Sequence, residues 1–222
     1  MTTMDYAKAR ELMVEQQVRP WDVLDPRILD VLSTLPREAF VAEAHRNLAY
    51  ADLPLPLAHG EFMMKPVVEG RALQALSIGP DDEVLEIGAG SGFLTACLGR
   101  LAREVVSIER HADLADTART RLAGQAISNA RVIHADVFSW DNDRRFDAIC
   151  VTGAVAEIPA RFLQWLRPGG RMFAVRGRSP VMEAVLVHAN DGDDVNASRI
   201  QSLFETDLPY LHGAAPAPTF EL

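Results

Sequence analysis

The chain is poor in the residues that mark several protein classes. It holds only two cysteines in 222 residues, Cys97 and Cys150, each inside an apolar segment. Two such residues supply neither a disulfide framework nor a metal cluster, and they read as reduced core thiols. No apolar run approaches the roughly 18 residues needed to span a bilayer. Residues 1–10 lack the apolar stretch of an export signal, so a cytoplasmic protein with no membrane partner is expected. Basic charge is also short: 22 Lys and Arg stand against 31 Asp and Glu, a formal net charge of -9. A phosphate backbone is repelled on average by such a chain, which argues against a nucleic-acid partner. His59, His111, His134 and His212 have no metal-ligand spacing, so they read as satisfied or exposed side chains and no metal site is expected. Neither a Ser-His-Asp order nor a nucleophile elbow is present. There are no internal repeats and no long linker.

What is present is enough apolar sequence to bury a large core, with 48% hydrophobic and 24% charged residues, an ordinary globular balance. Two regions differ in character. Residues 1–76 read as an N-terminal extension of helices broken by prolines. A helix is expected over residues 6–17, stopped by Arg19-Pro20. Asp25-Pro26 then offers an N-cap followed by proline at the first helical position. Residues 36–40 read as a short helical turn. Residues 53–57, Leu-Pro-Leu-Pro-Leu, cannot continue a helix and should run extended. His59-Gly60 permits a sharp turn, and residues 66–76 read as a helix.

Residues 77–222 alternate between short β-branched runs (84–87, 105–108, 131–133, 148–151) and helical patterns (94–101, 114–122, 160–166). That alternation predicts an α/β fold, a doubly wound and mostly parallel sheet with helices on both faces. Leu166-Arg-Pro-Gly-Gly170 reads as a turn into a fifth strand over 171–175. Residues 181–187 and 198–204 are expected to form a final pair around a turn at 190–194. The Ala/Pro-rich residues 214–219 read as an extended tail.

The strongest chemical signal is Val84-Leu-Glu-Ile-Gly-Ala-Gly-Ser-Gly92, an apolar strand entering a glycine loop that opens a helix. Glycines at 88, 90 and 92 let the backbone turn sharply and approach a ligand without a clashing Cβ. Such a loop, at the carboxyl end of the first strand, is where a doubly wound sheet binds nucleotides. The dinucleotide pattern G-x-G-x-x-G needs a third glycine at position 93, where Phe93 stands. The acid Glu86 would repel a pyrophosphate but attract the cationic amino-acid end of S-adenosylmethionine. A methyl donor is therefore preferred over NAD. Glu109 ends the second strand about 20 residues beyond Gly88, the spacing at which an acid grips ribose hydroxyls. Asp136 follows the third strand, placed to accept from the adenine amine with Val137 packing on the ring.

These residues carry a resemblance. Gly88-Ala-Gly-Ser-Gly-Phe-Leu-Thr-Ala-Cys97, Val106-Ser-Ile-Glu-Arg110, Phe146-Asp-Ala-Ile-Cys-Val-Thr-Gly-Ala154, Glu157-Ile-Pro159 and Leu166-Arg-Pro-Gly-Gly170 resemble protein-L-isoaspartate O-methyltransferases. Val14-Glu-Gln16, Pro36-Arg37, Phe40-Val41, Ala49-Tyr50 and Leu55-Pro56 resemble that family's N-terminal region. The resemblance implies an S-adenosylmethionine-dependent methyltransferase fold and a protein-repair activity, methylation of an isoaspartyl carboxylate in a protein or peptide. By position it implies Glu109, Arg110, Asp136 and Val137 around adenosine, and the glycine loop with Glu86 and Ser91 at the methionyl end. Thr152, Gly153 and Leu211 would border the acceptor.

One departure bears on the acceptor. After His59-Gly60 the family usually reads Gln-Thr-Ile-Ser-x-Pro, whereas this chain reads Glu61-Phe-Met-Met-Lys-Pro66, with Met64 at the serine position. A thioether cannot donate a hydrogen bond. Either the acceptor differs, for example a small molecule, or Lys65 supplies the attraction to a carboxylate, or Met63 and Met64 are core filler and Lys65 is solvated. A non-catalytic S-adenosylmethionine-binding protein is the alternative from another class. A nucleic-acid amino-methyltransferase is disfavoured, because Val151-Thr-Gly-Ala-Val155 stands where an Asn/Asp-Pro-Pro-aromatic stretch is expected.

Overall fold

Capping residues and prolines decide where the first helices start, as a computed structural model describing residues 4–190 and 198–217 shows. In α1 (Tyr6–Met13) the Asp5 side chain accepts from Lys8 N, satisfying one orphan donor of the first turn. The expected single helix over 6–17 instead widens into a π turn at Val14–Val18 and tightens into a 3-10 turn at Arg19–Trp21. The wider turn lets Met13, Val14 and Val18 share the buried face. In α2 (Pro26–Thr34) Asp25 caps and Pro26 takes the first helical position. Short 3-10 turns follow at Arg37–Phe40 and Glu43–Leu48. The extended prolines form β1 (Leu55–Pro56), paired antiparallel with β2 (Phe62–Met63). Helix α3 (Pro66–Leu76) has the expected bounds, with proline at its start.

The remaining elements are β3 (Glu83–Ile87), α4 (Phe93–Leu101), β4 (Glu104–Glu109), α5 (Ala112–Gly124), β5 (Ala130–His134), β6 (Phe146–Val155), α6 (Ala160–Gln164), β7 (Leu166–Arg178), β8 (Val181–His188) and β9 (Arg199–Thr206). Seven strands form one sheet in the order β5-β4-β3-β6-β7-β8-β9. The pairs from β5 to β7 are parallel, and β7-β8 and β8-β9 are antiparallel. Strand order reverses between β3 and β6, so their carboxyl ends flank the crevice where such sheets take ligands.

Side chains alternate across the sheet. Val84, Val105, Ala148, Cys150 and Phe173 join the core shared with α2, α3, α4 and the N-terminal turns, which runs from Met13 to Leu208. Leu85, Ile87, Val106, Ile108, Ile149 and Met172 face the other way. Among the described residues that second face carries only the short α6, and aromatic residues fill the rest. Phe138, Trp140, Phe162 and Trp165 pack there with centroids 5.3–5.9 Å apart, Trp140 edge-on to Trp165.

Residues 166–170 are not a turn before the fifth strand but part of β7. Register shifts between Phe146 and Ala148, and Gly169 at φ 71° absorbs the kink. Gly170 lies against main chain, where a Cβ would come 2.8 Å from the Arg167 carbonyl. The expected turn at 190–194 lies largely outside the described residues, as does the end of the 214–219 tail. At the amino ends of the strands, Glu83 pairs with Arg144 at 2.9 Å and with Arg167 at 2.6 Å. Those arginines also bind Glu104 at 2.6 Å and Asp147 at 2.5 Å. The Arg144 hydrogen bond holds the Glu83 carboxyl below the usual carboxylate range. The amino ends of the strands are thus knitted by charge, and the opposite, carboxyl ends carry the cavity. Among the described residues no helix is long and apolar enough to cross a membrane.

Candidate active site

A cavity of about 270 Å3 opens over the carboxyl ends of β3, β4 and β6. Its floor is the glycine loop. Gly88 and Gly90 have φ of 99° and 51°, a region that residues with a Cβ rarely adopt. A Cβ on Gly88 would collide with Thr152 Oγ1, and one on Gly90 would stand 3.2 Å from Leu57 Cδ1. Gly92, expected at the ligand, does not line this cavity. Its missing side chain instead lets α4 approach α5, because a Cβ there would come 3.1 Å from Ala118.

Glu86 lies at the base, wholly buried. Its Oε2 accepts from Thr95 Oγ1 and from Ser107 Oγ, each at 2.5 Å. Its Oε1 is buried without a partner. Among the described residues no cation offsets the burial, which pushes the carboxyl up to about 8, with nearby Glu109 and Glu69 adding to the rise. Thr95 and Ser107 thus hold a carboxyl with one free oxygen at the cavity floor. A buried unpaired oxygen costs stability, and a donor from a bound ligand would satisfy it.

Glu109 is fixed by main chain on both oxygens. Gly90 N donates to Oε2 at 2.9 Å and His111 N to Oε1 at 2.9 Å. Lone pairs remain on each oxygen for further donors. Beyond it, Arg110 lines the wall, Asp136 is exposed with Oδ1 accepting from Phe138 N at 2.9 Å, and Val137 is buried beside it. Thr152 Oγ1 lies 2.9 Å from the Ile87 carbonyl and 2.7 Å from that of Gly88, tying β6 to the loop. Gly153 leaves room for Leu211, whose N donates to Ala154 O at 2.8 Å. Ser91, Met64 and Lys65 complete the expected set in this cavity. Met64 is 7% exposed and belongs to the core, while Lys65 is exposed.

Two participants escaped the sequence reading of the site. Glu69 on α3 lines the cavity yet is 2% exposed. It is paired with Arg37, itself fully buried. Burial pushes Glu69 up to about 7 against the opposing pull of Arg37. Arg37 also donates to Met64 O at 2.7 Å and Ala49 O at 2.8 Å, and its guanidinium lies 4.7 Å from the centre of the Phe93 ring. One buried cation therefore joins the Met64 loop to the start of α4. Among the described residues no group of His, Cys, Asp and Glu is arranged to hold a metal ion.

A glycine loop at a strand-order reversal, an acid ending the next strand and an antiparallel β8-β9 edge together define a methyltransferase of the α/β class. The family described as protein-L-isoaspartate(D-aspartate) O-methyltransferase matches residues 8–203. The protein-L-isoaspartate O-methyltransferase of Koribacter versatilis is 36% identical over 213 residues, 96% of each chain. That of Methylorubrum extorquens is 39% identical over 168 residues, 76% of this chain and 74% of the relative. The chain belongs to this family. Among solved structures, a protein from Plasmodium falciparum described as a putative family member in complex with S-adenosyl-L-homocysteine superposes with a TM-score of 0.78. It is 18% identical and covers 94% of this chain and 98% of its own. At that identity the likeness speaks for the fold.

Proposed function

We propose that the protein is an S-adenosylmethionine-dependent O-methyltransferase acting on isoaspartyl carboxylates in proteins or peptides, in the cytoplasm and without a nucleic-acid partner. The observation that carries the acceptor assignment is the family match across residues 8–203. The residues present fit the cofactor. Glu86 offers a buried unpartnered oxygen, and Gly88 and Gly90 leave the space that a Cβ would fill. S-adenosylmethionine, when bound, supplies a methyl group activated by its sulfonium.

In this reading Glu86, Gly88, Gly90 and Ser91 hold the methionyl end, with Glu86 ionising against the α-ammonium group. Glu109 accepts from the ribose hydroxyls, Asp136 from the adenine amine, and Val137 and Arg110 flank the rings. Met64, Lys65, Thr152, Gly153 and Leu211 border the acceptor. Residues 1–76 thus supply one wall as a helical extension, and residues 77–222 the cofactor side. A free carboxyl group titrates near about 4, so an isoaspartyl acceptor arrives ionised and needs no general base. The chain's contribution is positioning and exclusion of water. Lys65, exposed and with no side-chain hydrogen bond or ion pair among the described residues, gives an anionic acceptor a cation in a cavity otherwise rich in acids.

Methyl transfer from labelled S-adenosylmethionine to an isoaspartyl peptide, beside its aspartyl twin, tests the reading. Transfer to the isoaspartyl peptide alone supports it. A second reading, a small-molecule acceptor, is favoured by the buried thioether of Met64, which has no hydrogen to donate. Turnover of such an acceptor with none on the peptide would decide for it. Cofactor binding without any turnover would leave a non-catalytic binding protein.

A further inference from the structure

Residues 54–65 pass over the glycine loop as a strap whose ends are anchored, with Leu55, Met63 and Met64 in the core and Met64 O bonded to Arg37. Little within the turn at 57–61 holds it there. Its β1-β2 pairing spans two residue pairs, Leu55 with Met63 and Pro56 with Phe62. A two-stranded hairpin is marginal at best in water, and this one is shorter than most. Leu57 nevertheless sits directly on the loop, 3.2 Å from where a Gly90 Cβ would be. At the turn, His59 and Gly60 both adopt left-handed backbone, with φ of 62° and 75°.

That turn carries the His59 ring onto His111, the residue that precedes α5. The two rings are 4.1 Å apart and within 4° of parallel. Their polar contacts run crosswise. His59 Nε2 of the strap lies 2.8 and 3.0 Å from the two Asp113 carboxylate oxygens on α5. His111 Nε2 lies 3.5 Å from Glu61 Oε1 on the strap. Each side of the contact therefore contributes one imidazole and one carboxylate two residues apart. The His59 hydrogen bond holds the Asp113 carboxyl below its ordinary range. The same His111 donates its main-chain N–H to Glu109, so the contact adjoins the acid proposed to hold the ribose.

We propose that His59, Glu61, His111 and Asp113 form a clasp that keeps the strap shut over the glycine loop, so that its release sets how fast the adenosyl cofactor enters and its product leaves. The clasp joins segments that have no strand pairing with each other. It touches the strap at its turn, between β1 and β2. Opening it frees Leu57 from the loop without disturbing the sheet. The rate role rests on the cofactor reading above, whereas the holding role does not.

The test uses the full chain with His59→Asn, which keeps a residue tolerant of left-handed backbone and removes the ring, and Asp113→Ala on the partner side. Binding and release of S-adenosylhomocysteine are followed by rapid mixing. Each variant should raise both rates about tenfold, equivalent to about 1.4 kcal/mol, while Kd moves by less than about threefold. Unchanged rates, or faster release with unchanged binding, overturn the gate, since loss of a simple ligand contact speeds release alone. Hydrogen exchange in the cofactor-free protein reads the strap itself. The amides of Leu57 and Glu61, bonded to Glu61 O at 2.7 Å and Ala58 O at 3.2 Å, should exchange faster in both variants. Unaltered protection overturns the clasp. A wild type that binds no S-adenosylhomocysteine defeats the cofactor reading and the rate role together, and exchange still decides whether the clasp holds the strap.

Discussion

Replacing Arg37 by methionine keeps much of the side-chain volume and removes every donor it offers. Three acceptors lose a partner: Ala49 O, Met64 O and the Glu69 carboxylate. The stack over Phe93 goes as well. Breaking one side of a buried ion pair costs about 3–5 kcal/mol, because the surviving charge has nowhere to go. Glu69 can escape part of that cost by taking up a proton, as its pKa is already about 7. We therefore expect a loss of about 4 kcal/mol, a large share of the roughly 5–15 kcal/mol that holds a typical domain together. Arg37→Met combined with Glu69→Leu should recover at least about 1 kcal/mol, since an apolar pair of similar volume is well tolerated where a lone charge is not. Equilibrium unfolding in urea, with m compared across variants, measures each corner of the cycle. A loss below about 1 kcal/mol for Arg37→Met, or a double variant no better than the single one, refutes the reasoning. In whatever fraction stays folded, Met64 has lost its anchor. The acceptor KM should then rise while the affinity for S-adenosylmethionine holds.

Three further outcomes are expected. Glu86 has a folded pKa raised to about 8, so the folded state binds more protons than the unfolded state above the ordinary carboxyl range. Stability contributed by this group is greatest below that range and is lost as pH rises toward about 8. Melting temperatures between pH 5 and 8 should fall less steeply in Glu86→Gln, and parallel profiles would contradict this. On the proposed ion pair with the α-ammonium group, cofactor binding would favour the ionised form, so wild-type affinity should instead rise over the same pH interval. Glu109→Ala should weaken S-adenosylmethionine binding by roughly 1.5–3 kcal/mol, the range for hydrogen bonds to a charged group. Unchanged calorimetric affinity in a folded variant would remove Glu109 from the ribose. Met64→Ser should raise isoaspartyl turnover by up to about 10- to 150-fold, the kinetic equivalent of one such bond, whereas Lys65→Ala should depress it. Robust wild-type turnover that neither substitution alters would show that other groups position the acceptor.

The parts of the fold that were legible are those whose signal is local. Helix α3 begins at Pro66 and ends at Leu76, both as expected, because a proline at the first helical position fixes the start. The glycine loop and the acid that ends β4 lie within one β-α-β unit, so their spacing carries the proposed site directly. Glu69 was not legible for the opposite reason. A glutamate on a helix belongs by default on the wet face, and its partner Arg37 is 32 residues away. The Pro36-Arg37 block matched the family without showing what the arginine does. His59 and His111 were read as ordinary histidines because no metal spacing joins them. Their one local sign was the repeated pattern of histidine, any residue, acid, at 59–61 and at 111–113. The turn expected over 166–170 failed because a Pro-Gly-Gly run looks the same locally whether it ends a strand or buckles one. Only the pairing with β6 decides between them.

The two cysteines have a practical consequence. Cys97 on α4 and Cys150 on β6 are fully enclosed, and burial raises both thiols well above the usual range. A thiolate is the reactive form, so neither sulfur reacts while the interior is shut. A thiol reagent reaches them only when α4 lifts from the sheet or the sheet itself parts. The speed of labelling is thus an internal clock for the rare openings of this chain. It runs without any added probe, from two positions close to the proposed methionyl pocket. A strap that swings on its own leaves that clock unmoved, whereas a ligand that braces the whole interior slows it.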